Sequence, residues 1–141
     1  RDMLKPRLVA CLDVRGGRVV KGVRFADLRD QGDPAELARR YAQAGIDALV
    51  VLDVSATLEE RGAALETVRA VRAELDVPLC VGGGIDGLER ARALVEAGAD
   101  QVAVNSAAVA RPALIDELAS AFGSQSTVVA IDAARTRGGF E

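Results

Sequence analysis

Apolar residues gather in five short runs along the chain, and polar, amphipathic stretches separate them. The runs lie at 8–13, 48–53, 77–81, 101–105 and 127–132. Their short length and their content of Val, Leu and Ile predict buried β-strands. The stretches between them predict helices at 34–44, 59–75, 87–97 and 112–122. Because strand and helix alternate with short loops, the pattern predicts an α/β fold with parallel strands.

Two of the predicted helices begin with a capping pattern. Asp33 is followed by Glu36, and Asp86 by Glu89, which is the spacing of a capping box. Gly98 then ends the second of these helices. We therefore expect Asp33 and Asp86 to be N-caps.

Composition agrees with buried parallel strands. Half of the 141 residues are apolar but only 3% are aromatic, so the core must consist of aliphatic side chains. Residues 45–47 (GID) resemble residues 98–100 (GAD), and each triplet precedes a predicted strand. This faint repeat fits stacked βα units. The length suits a single domain at 1–141 with its own hydrophobic core.

Charge and residue types exclude several classes of function. The net charge of −3 and the pI near 5.1 argue against a nucleic-acid partner. The absence of histidine excludes histidine triads and histidine acid–base catalysis, and leaves carboxylates and lysine as candidates. Since the chain has no signal peptide and no long apolar span, we expect a cytoplasmic protein without a membrane partner.

The two cysteines carry little functional signal. Cys11 and Cys80 lie in predicted strands and lack CxxC spacing. We expect reduced, buried thiols rather than a disulfide or metal ligands, and we predict no metal or cofactor.

Polar side chains end three of the predicted strands. Residues two apart share a face of a strand, and small apolar residues precede Asp13, Asn105 and Asp132 on their faces. In an α/β barrel such residues face the interior, and the carboxyl ends of the strands form the active site. Asp13 and Asp132 are candidates for an acid–base pair, with loop capping as the alternative at each. For Asp53 the direction is ambiguous, and a structural hydrogen bond is favoured.

A glycine run marks a candidate phosphate site. Gly83 and Gly84 follow the third strand and place backbone N–H groups beside the start of a helix, with room for an anion. Asn105 and Ser106 follow the next strand and offer donors to the same phosphate. A tight turn without a ligand is the alternative. Lys21, in the loop or small hairpin predicted after the first strand, either reaches over the site or is a plain exposed lysine.

Six blocks along the whole chain carry a family resemblance. They are ACLDV at 10–14, VVKGV at 19–23, LRDQGDP at 28–34, VGGGI at 81–85, NSAAV at 105–109 and FGSQSTVVAIDA at 122–133. Together they resemble the cyclase subunit of imidazole glycerol phosphate synthase, an enzyme of histidine biosynthesis. The related aminoimidazole carboxamide ribotide isomerase is a more distant match.

The resemblance implies a half-barrel, about four and a half βα units of a TIM (βα)₈ barrel. It implies conversion of phosphoribulosyl formimino aminoimidazole carboxamide ribotide and ammonia to imidazole glycerol phosphate and AICAR. In that family the residues matching Asp13 and Asp132 are the acid–base pair, and the lysine matching Lys21 assists from a mobile loop. One of the substrate's two phosphates is bound at the positions of Gly84, Asn105 and Ser106.

The resemblance also implies a partner. In the family, ammonia arrives through the barrel from a glutaminase docked at the opposite face. Arg7 matches one member of a charged ring at that entrance, whereas Ala48 and Gln101 replace a glutamate and a lysine. Asp100 lies near the same face and either contributes to docking or is a solvated turn acid.

A complete barrel needs about 250 residues, and this chain stops just past its fifth predicted strand. Open sheet edges and an exposed apolar face predict either self-association, as a homo-oligomer, or a chain that is part of a longer protein. Little or no activity is expected of the chain alone. Two other functions stay open. One is a non-catalytic half-barrel that binds free phosphate or a phosphorylated small molecule. The other is a sugar-phosphate isomerase of the sister family.

Overall fold

A computed structural model of the chain describes residues 4–23, 26–55 and 57–140. The strands are β1 (Val9–Arg15), β2 (Arg18–Val23), β3 (Ala26–Gly32), β4 (Ala48–Asp53), β5 (Leu79–Gly82), β6 (Gln101–Val104), β7 (Thr127–Val129), β8 (Arg135–Thr136) and β9 (Gly139–Phe140). The α-helices are α1 (Pro34–Gln43), α2 (Leu58–Ala73), α3 (Leu88–Ala97), α4 (Ser106–Ala110) and α5 (Ala113–Phe122). A short 3₁₀ turn, Ser124–Ser126, precedes β7.

Parallel pairing confirms the predicted fold class. The main sheet has the order β3-β2-β1-β4-β5-β6-β7, and β1, β4, β5, β6 and β7 pair in parallel. Helices connect these five strands, as in consecutive βα units, so the chain forms a (βα) half-barrel of the TIM type. The segment 15–25 was predicted to be a loop or a small hairpin. Its described residues form a hairpin, because β2 pairs antiparallel with both β1 and β3. Residues 24 and 25 of that segment lie outside the described residues.

Alternating side chains divide each strand between two environments. Leu12 and Val14 of β1 are buried in the cluster that contains Val68 of α2 and Leu94 of α3. Cys11 and Asp13 lie on the other face of β1, and they are more accessible. The hydrophobic core therefore lies between the sheet and its helices. The face that would line a barrel interior is only partly exposed, because Cys11 and Asp13 are accessible there whereas Cys80 and Ala103 are buried.

The short repeat in the sequence, at 45–47 and 98–100, fixes the register of the parallel strands. The N–H of Asp47 donates to the carbonyl of Leu8 (2.8 Å), and the N–H of Leu8 donates back to the Asp47 carboxylate (2.7 Å). Asp100 makes the same reciprocal pair with Leu79, at 2.8 Å in both directions. Each aspartate thus aligns the start of its strand with the neighbouring parallel strand. Asp100, offered above as a docking residue or a turn acid, has this structural role.

Several elements differ from the prediction. β1 continues to Arg15, so Asp13 lies within the strand rather than at its end. β7 ends at Val129, so Asp132 lies in the loop that follows it rather than at the end of the strand. The helix α4, directly after β6, was not predicted. Asp86 caps nothing, because α3 begins one residue later than its capping spacing requires and its N-cap is Gly87, without a side-chain hydrogen bond. Among the described helices, none has both the length and the apolar character that a bilayer span needs.

The two predicted N-caps give a matched test of these boundaries. The Asp33 carboxylate accepts from the N–H of Glu36 (3.1 Å) at the start of α1, whereas Asp86 is exposed and caps no helix. Asp33→Ala is expected to lower the free energy of unfolding by about 1 kcal/mol, because it leaves a helix donor unpaired. Asp86→Ala is expected to leave it within about 0.5 kcal/mol. Urea denaturation of both variants measures the difference, and equal losses would contradict the assigned boundary of α3.

Candidate functional site

The carboxyl ends of β4, β5 and β6 and the loop after β7 border a groove of about 600 Å³. Two separately predicted features meet there, the glycine run and the polar residues that follow the strands. The predicted site residues that line the groove are Asp53, Gly83, Gly84, Asn105, Ser106 and Asp132. Most of the candidate residues predicted from the sequence therefore lie in one location in the structure.

The glycine run is required by two different constraints. Gly83 has φ of 96°, and a Cβ on it would lie 2.1 Å from the carbonyl oxygen of Asp53. No side chain fits there, so Gly83 lets the turn after β5 pass directly over the end of β4. Gly84 also has a left-handed φ, 64°, but a Cβ on it would meet nothing closer than 3.7 Å. Gly83 is thus a packing requirement, whereas Gly84 opens onto the groove.

Asp53 makes the structural hydrogen bonds that the sequence favoured. Its carboxylate accepts from the N–H of Ser55 (2.9 Å) and from the Ser55 hydroxyl, which closes the turn after β4. The other carboxylate oxygen pairs with Nη2 of Arg90 on α3 (3.3 Å). Both side chains are largely buried, at 4% and 15% exposure, so each charge depends on the other for compensation.

Asn105 and Asp132 form the polar side of the groove. The side-chain amide of Asn105 donates to the Asp132 carboxylate at 2.8 Å. This bond connects the end of β6 with the loop after β7 and orients the carboxylate. Ser106 follows directly and is exposed, so its hydroxyl is accessible to a ligand.

Asp13 lies outside this groove, on β1, which is at the opposite edge of the five parallel strands from β7. It shares its face of β1 with Cys11, and the nearby Asp13 carboxylate adds to the raised pKa of that thiol, whose main cause is burial. Asp13 is separated from the end of β7 by four strand spacings, roughly 19 Å along the sheet. Lys21 is exposed and lies in β2, a strand of the hairpin rather than a free loop.

The accessibility of one cysteine differs from the prediction. Both cysteines are free, and Cys80 is buried as predicted, but Cys11 is exposed. The reason is its position on the open face of β1, which no described residue covers fully. Burial raises the pKa of Cys80 to about 11. Partial enclosure of the Cys11 sulfur, with the Asp13 carboxylate as the smaller cause, raises the pKa of that thiol as well. Both are therefore protonated at neutral pH and poor nucleophiles. Within the described ranges, no group of three or more acidic or cysteine side chains could hold a metal ion.

The residues matched to the ammonia entrance lie at the opposite end of the strands. Arg7 is exposed just before β1, and Ala48 and Gln101 begin β4 and β6. The Gln101 amide donates to the carbonyl of Gln125 (3.0 Å), so it is used within the chain. These residues therefore lie at the amino ends of the strands, whereas the groove lies at the carboxyl ends.

The sequence analysis missed two arginines, one that lines the groove and one that pairs with a lining residue. Arg61, in the first turns of α2, lines the groove beside Gly84, and Arg90 is the partner of Asp53. No sequence pattern indicated either arginine as a site residue, because an arginine near the start of an amphipathic helix ordinarily faces solvent.

A parallel α/β half-barrel whose polar residues meet at the carboxyl ends of its strands belongs to the TIM-barrel class. The family described as "Histidine biosynthesis protein" matches residues 7–140, and the chain belongs to that family.

Relatives in this family support the assignment. The chain is similar to "Imidazole glycerol phosphate synthase subunit HisF" of Acidobacterium capsulatum, with 56% identity over 99% of the chain and 55% of the relative. The proteins of the same name from a Thermotoga species and Flavobacterium psychrophilum are 53% and 50% identical, over 98% and 99% of the chain and 54% and 55% of each relative. The chain therefore spans about half the length of the curated relatives it matches.

The two glycines of the turn give a matched test of the site geometry. Gly83→Ala is expected to lower the free energy of unfolding by more than about 3 kcal/mol, because the new methyl group would overlap the carbonyl of Asp53. Gly84→Ala is expected to cost about 1 kcal/mol, since it has only the left-handed backbone to oppose it. Urea denaturation compares the two, and a larger loss at Gly84 would contradict the close approach of the turn to β4.

Proposed function

We propose that this chain supplies half of a cyclase active site of the imidazole glycerol phosphate synthase type. The whole site would convert phosphoribulosyl formimino aminoimidazole carboxamide ribotide and ammonia to imidazole glycerol phosphate and AICAR. The observation that carries the proposal is the identity of 50–56% to subunits of that name over nearly the whole chain. The groove at the strand ends supports it, since the predicted phosphate residues converge there.

Phosphate binding is assigned to the turn after β5 and the residues after β6. Gly84 has no side chain to cover the backbone N–H groups at the groove, and the nearest atoms to its Cβ position belong to Arg61, at 3.7 Å or more. Gly83 holds the turn in place, while Asn105 and Ser106 border the same space and carry polar donors. One phosphate of the bisphosphorylated substrate is proposed to bind here. The second phosphate site is proposed to lie outside this chain.

Acid–base catalysis is assigned to Asp13 and Asp132. Condensation of ammonia with the ketone of the ribulosyl group loses water, and ring closure expels the amine of the carboxamide ribotide. Both steps move protons, which two carboxylates in different environments can donate and accept. Their environments do differ: Asp132 accepts a hydrogen bond from Asn105, and Asp13 lies beside the Cys11 thiol. Because roughly four strand spacings separate them, they would act on opposite sides of a substrate held between them.

Lys21 is proposed to assist from β2, the strand that pairs with β1, where Asp13 lies; the Lys21 side chain is exposed. Ammonia is proposed to enter from the opposite end of the strands, near Arg7. A glutaminase subunit is the proposed source, although Ala48 and Gln101 leave that entrance with fewer charges than the family pattern. Self-association and a cytoplasmic location stay predictions, and light scattering tests the first.

The proposal predicts that activity depends on both aspartates. The chain is combined with a polypeptide that comprises the rest of the Acidobacterium capsulatum relative, and turnover is measured with an ammonium salt. Asp13→Asn and Asp132→Asn are each expected to reduce kcat by about 10²- to 10⁴-fold, the usual contribution of a general acid or base. Asp116→Asn, on the exposed side of α5, is the matched control and is expected to have no effect.

Three results would contradict the proposal in different ways. Full activity of either aspartate variant would remove the acid–base assignment. Turnover of a sugar phosphate without ammonia would favour the isomerase of the sister family. Phosphate binding without turnover, with or without the added polypeptide, would favour the non-catalytic half-barrel. Such binding would be possible because all residues that line the groove belong to this chain.

A further inference from the structure

The guanidinium group of Arg61 lies at the open side of the glycine turn. Its Nε and Nη2 atoms are both 3.7 Å, and its Cζ atom 3.8 Å, from the position that a Cβ on Gly84 would occupy. Three nearly equal distances mean that the flat face of the guanidinium group lies against Gly84. Its edges carry the two-donor fork that binds carboxylate and phosphate in a bidentate manner, and Arg61 lines the groove.

Arg61 has no partner for this fork among the described residues. Of the other residues that line the groove, none is basic, and the acids are Asp53, Asp86 and Asp132. Asp53 is paired with Arg90, and Asp132 accepts from Asn105. No ion pair within 4 Å joins Asp86 to Arg61 in the described part of the chain. The donors of Arg61 are therefore available to a ligand.

The backbone of Arg61 is fixed relative to the end of β4. Nη2 of Arg90 donates both to the Asp53 carboxylate (3.3 Å) and to the carbonyl of Arg61 (3.2 Å). The capping box of Thr57 and Glu60 also fixes the first turn of α2. Arg61 thus presents its side chain from an anchored position, which reduces the entropy lost when it binds a ligand.

We propose that Arg61 is a phosphate-binding residue that lines the groove beside the glycine turn, with Arg90 as its positioning residue. The phosphate would be held in the groove between the guanidinium donors of Arg61 and the residues Asn105 and Ser106. The inference rests on the proposed function, because it adds a charged side chain to the same phosphate site.

Titration of the chain with inorganic phosphate, followed by amide chemical shifts, tests this assignment. In the wild-type chain the amides of Gly83, Gly84 and Ser106 are expected to shift. Arg61→Gln is expected to weaken binding about 10- to 100-fold, the effect of removing a charge-assisted pair of hydrogen bonds. Arg61→Lys keeps the charge but loses the fork, so it is expected to restore only part of the affinity.

The matched control is Arg69→Gln, about two turns further along α2, where the arginine pairs with Glu66 on the surface. This variant is expected to bind like wild type. If the turn amides shift but Arg61→Gln and Arg61→Lys both bind as tightly as wild type, the role of Arg61 is wrong and the phosphate site stands. If phosphate shifts no amide of the turn, both the site and the role of Arg61 are wrong. Should Arg61→Gln fail to fold, the comparison of Arg61→Lys with Arg69→Gln decides.

Discussion

The register of the parallel strands is the constraint on which the site depends. Asp47 and Asp100 each exchange two hydrogen bonds with the first residues of a neighbouring strand, and a slip of one residue would break both. A slip would also turn every side chain of the strand to its other face. With the register fixed, Leu52, Gly82 and Ala103 lie at one level, and the polar residues lie beyond them at the same edge.

A second constraint brings the turns above that edge together. Gly83 allows the turn after β5 to cross the end of β4 at a distance that no side chain would permit. Arg90 ties this region to α2 and α3 through the buried Asp53 carboxylate and the carbonyl of Arg61. The ion pair itself is weak support for stability, since its desolvation opposes its attraction. Its value is geometric, because it holds an acid, a helix start and a glycine turn in one arrangement around the groove.

The sequence predicted the layered features well, because these follow from local periodicity. The parallel strands, the cap at Asp33 and the convergence of Gly84, Asn105 and Asp132 all derive from patterns within a few residues. The capping role of Asp86 was wrong, because the turn extends one residue further and Gly87 takes the cap position. The exposure of Cys11 depends on which residues cover that face of β1. The pattern within the strand does not contain this information. Arg61 and Arg90 meet the groove only through the packing of helices on the sheet, and no local pattern indicates that.

We propose that phosphate binding and acid–base chemistry meet at one edge of this half-barrel. A crystal structure of the chain with bound AICAR is the sharpest test, since this ribotide carries one phosphate and the amine that ring closure would release. The phosphate is expected between the turn of Gly83 and Gly84 and the residues Asn105 and Ser106, with the Asp132 carboxylate beside the ligand. A ligand bound at the opposite end of the strands, near Arg7 and Gln101, would contradict it.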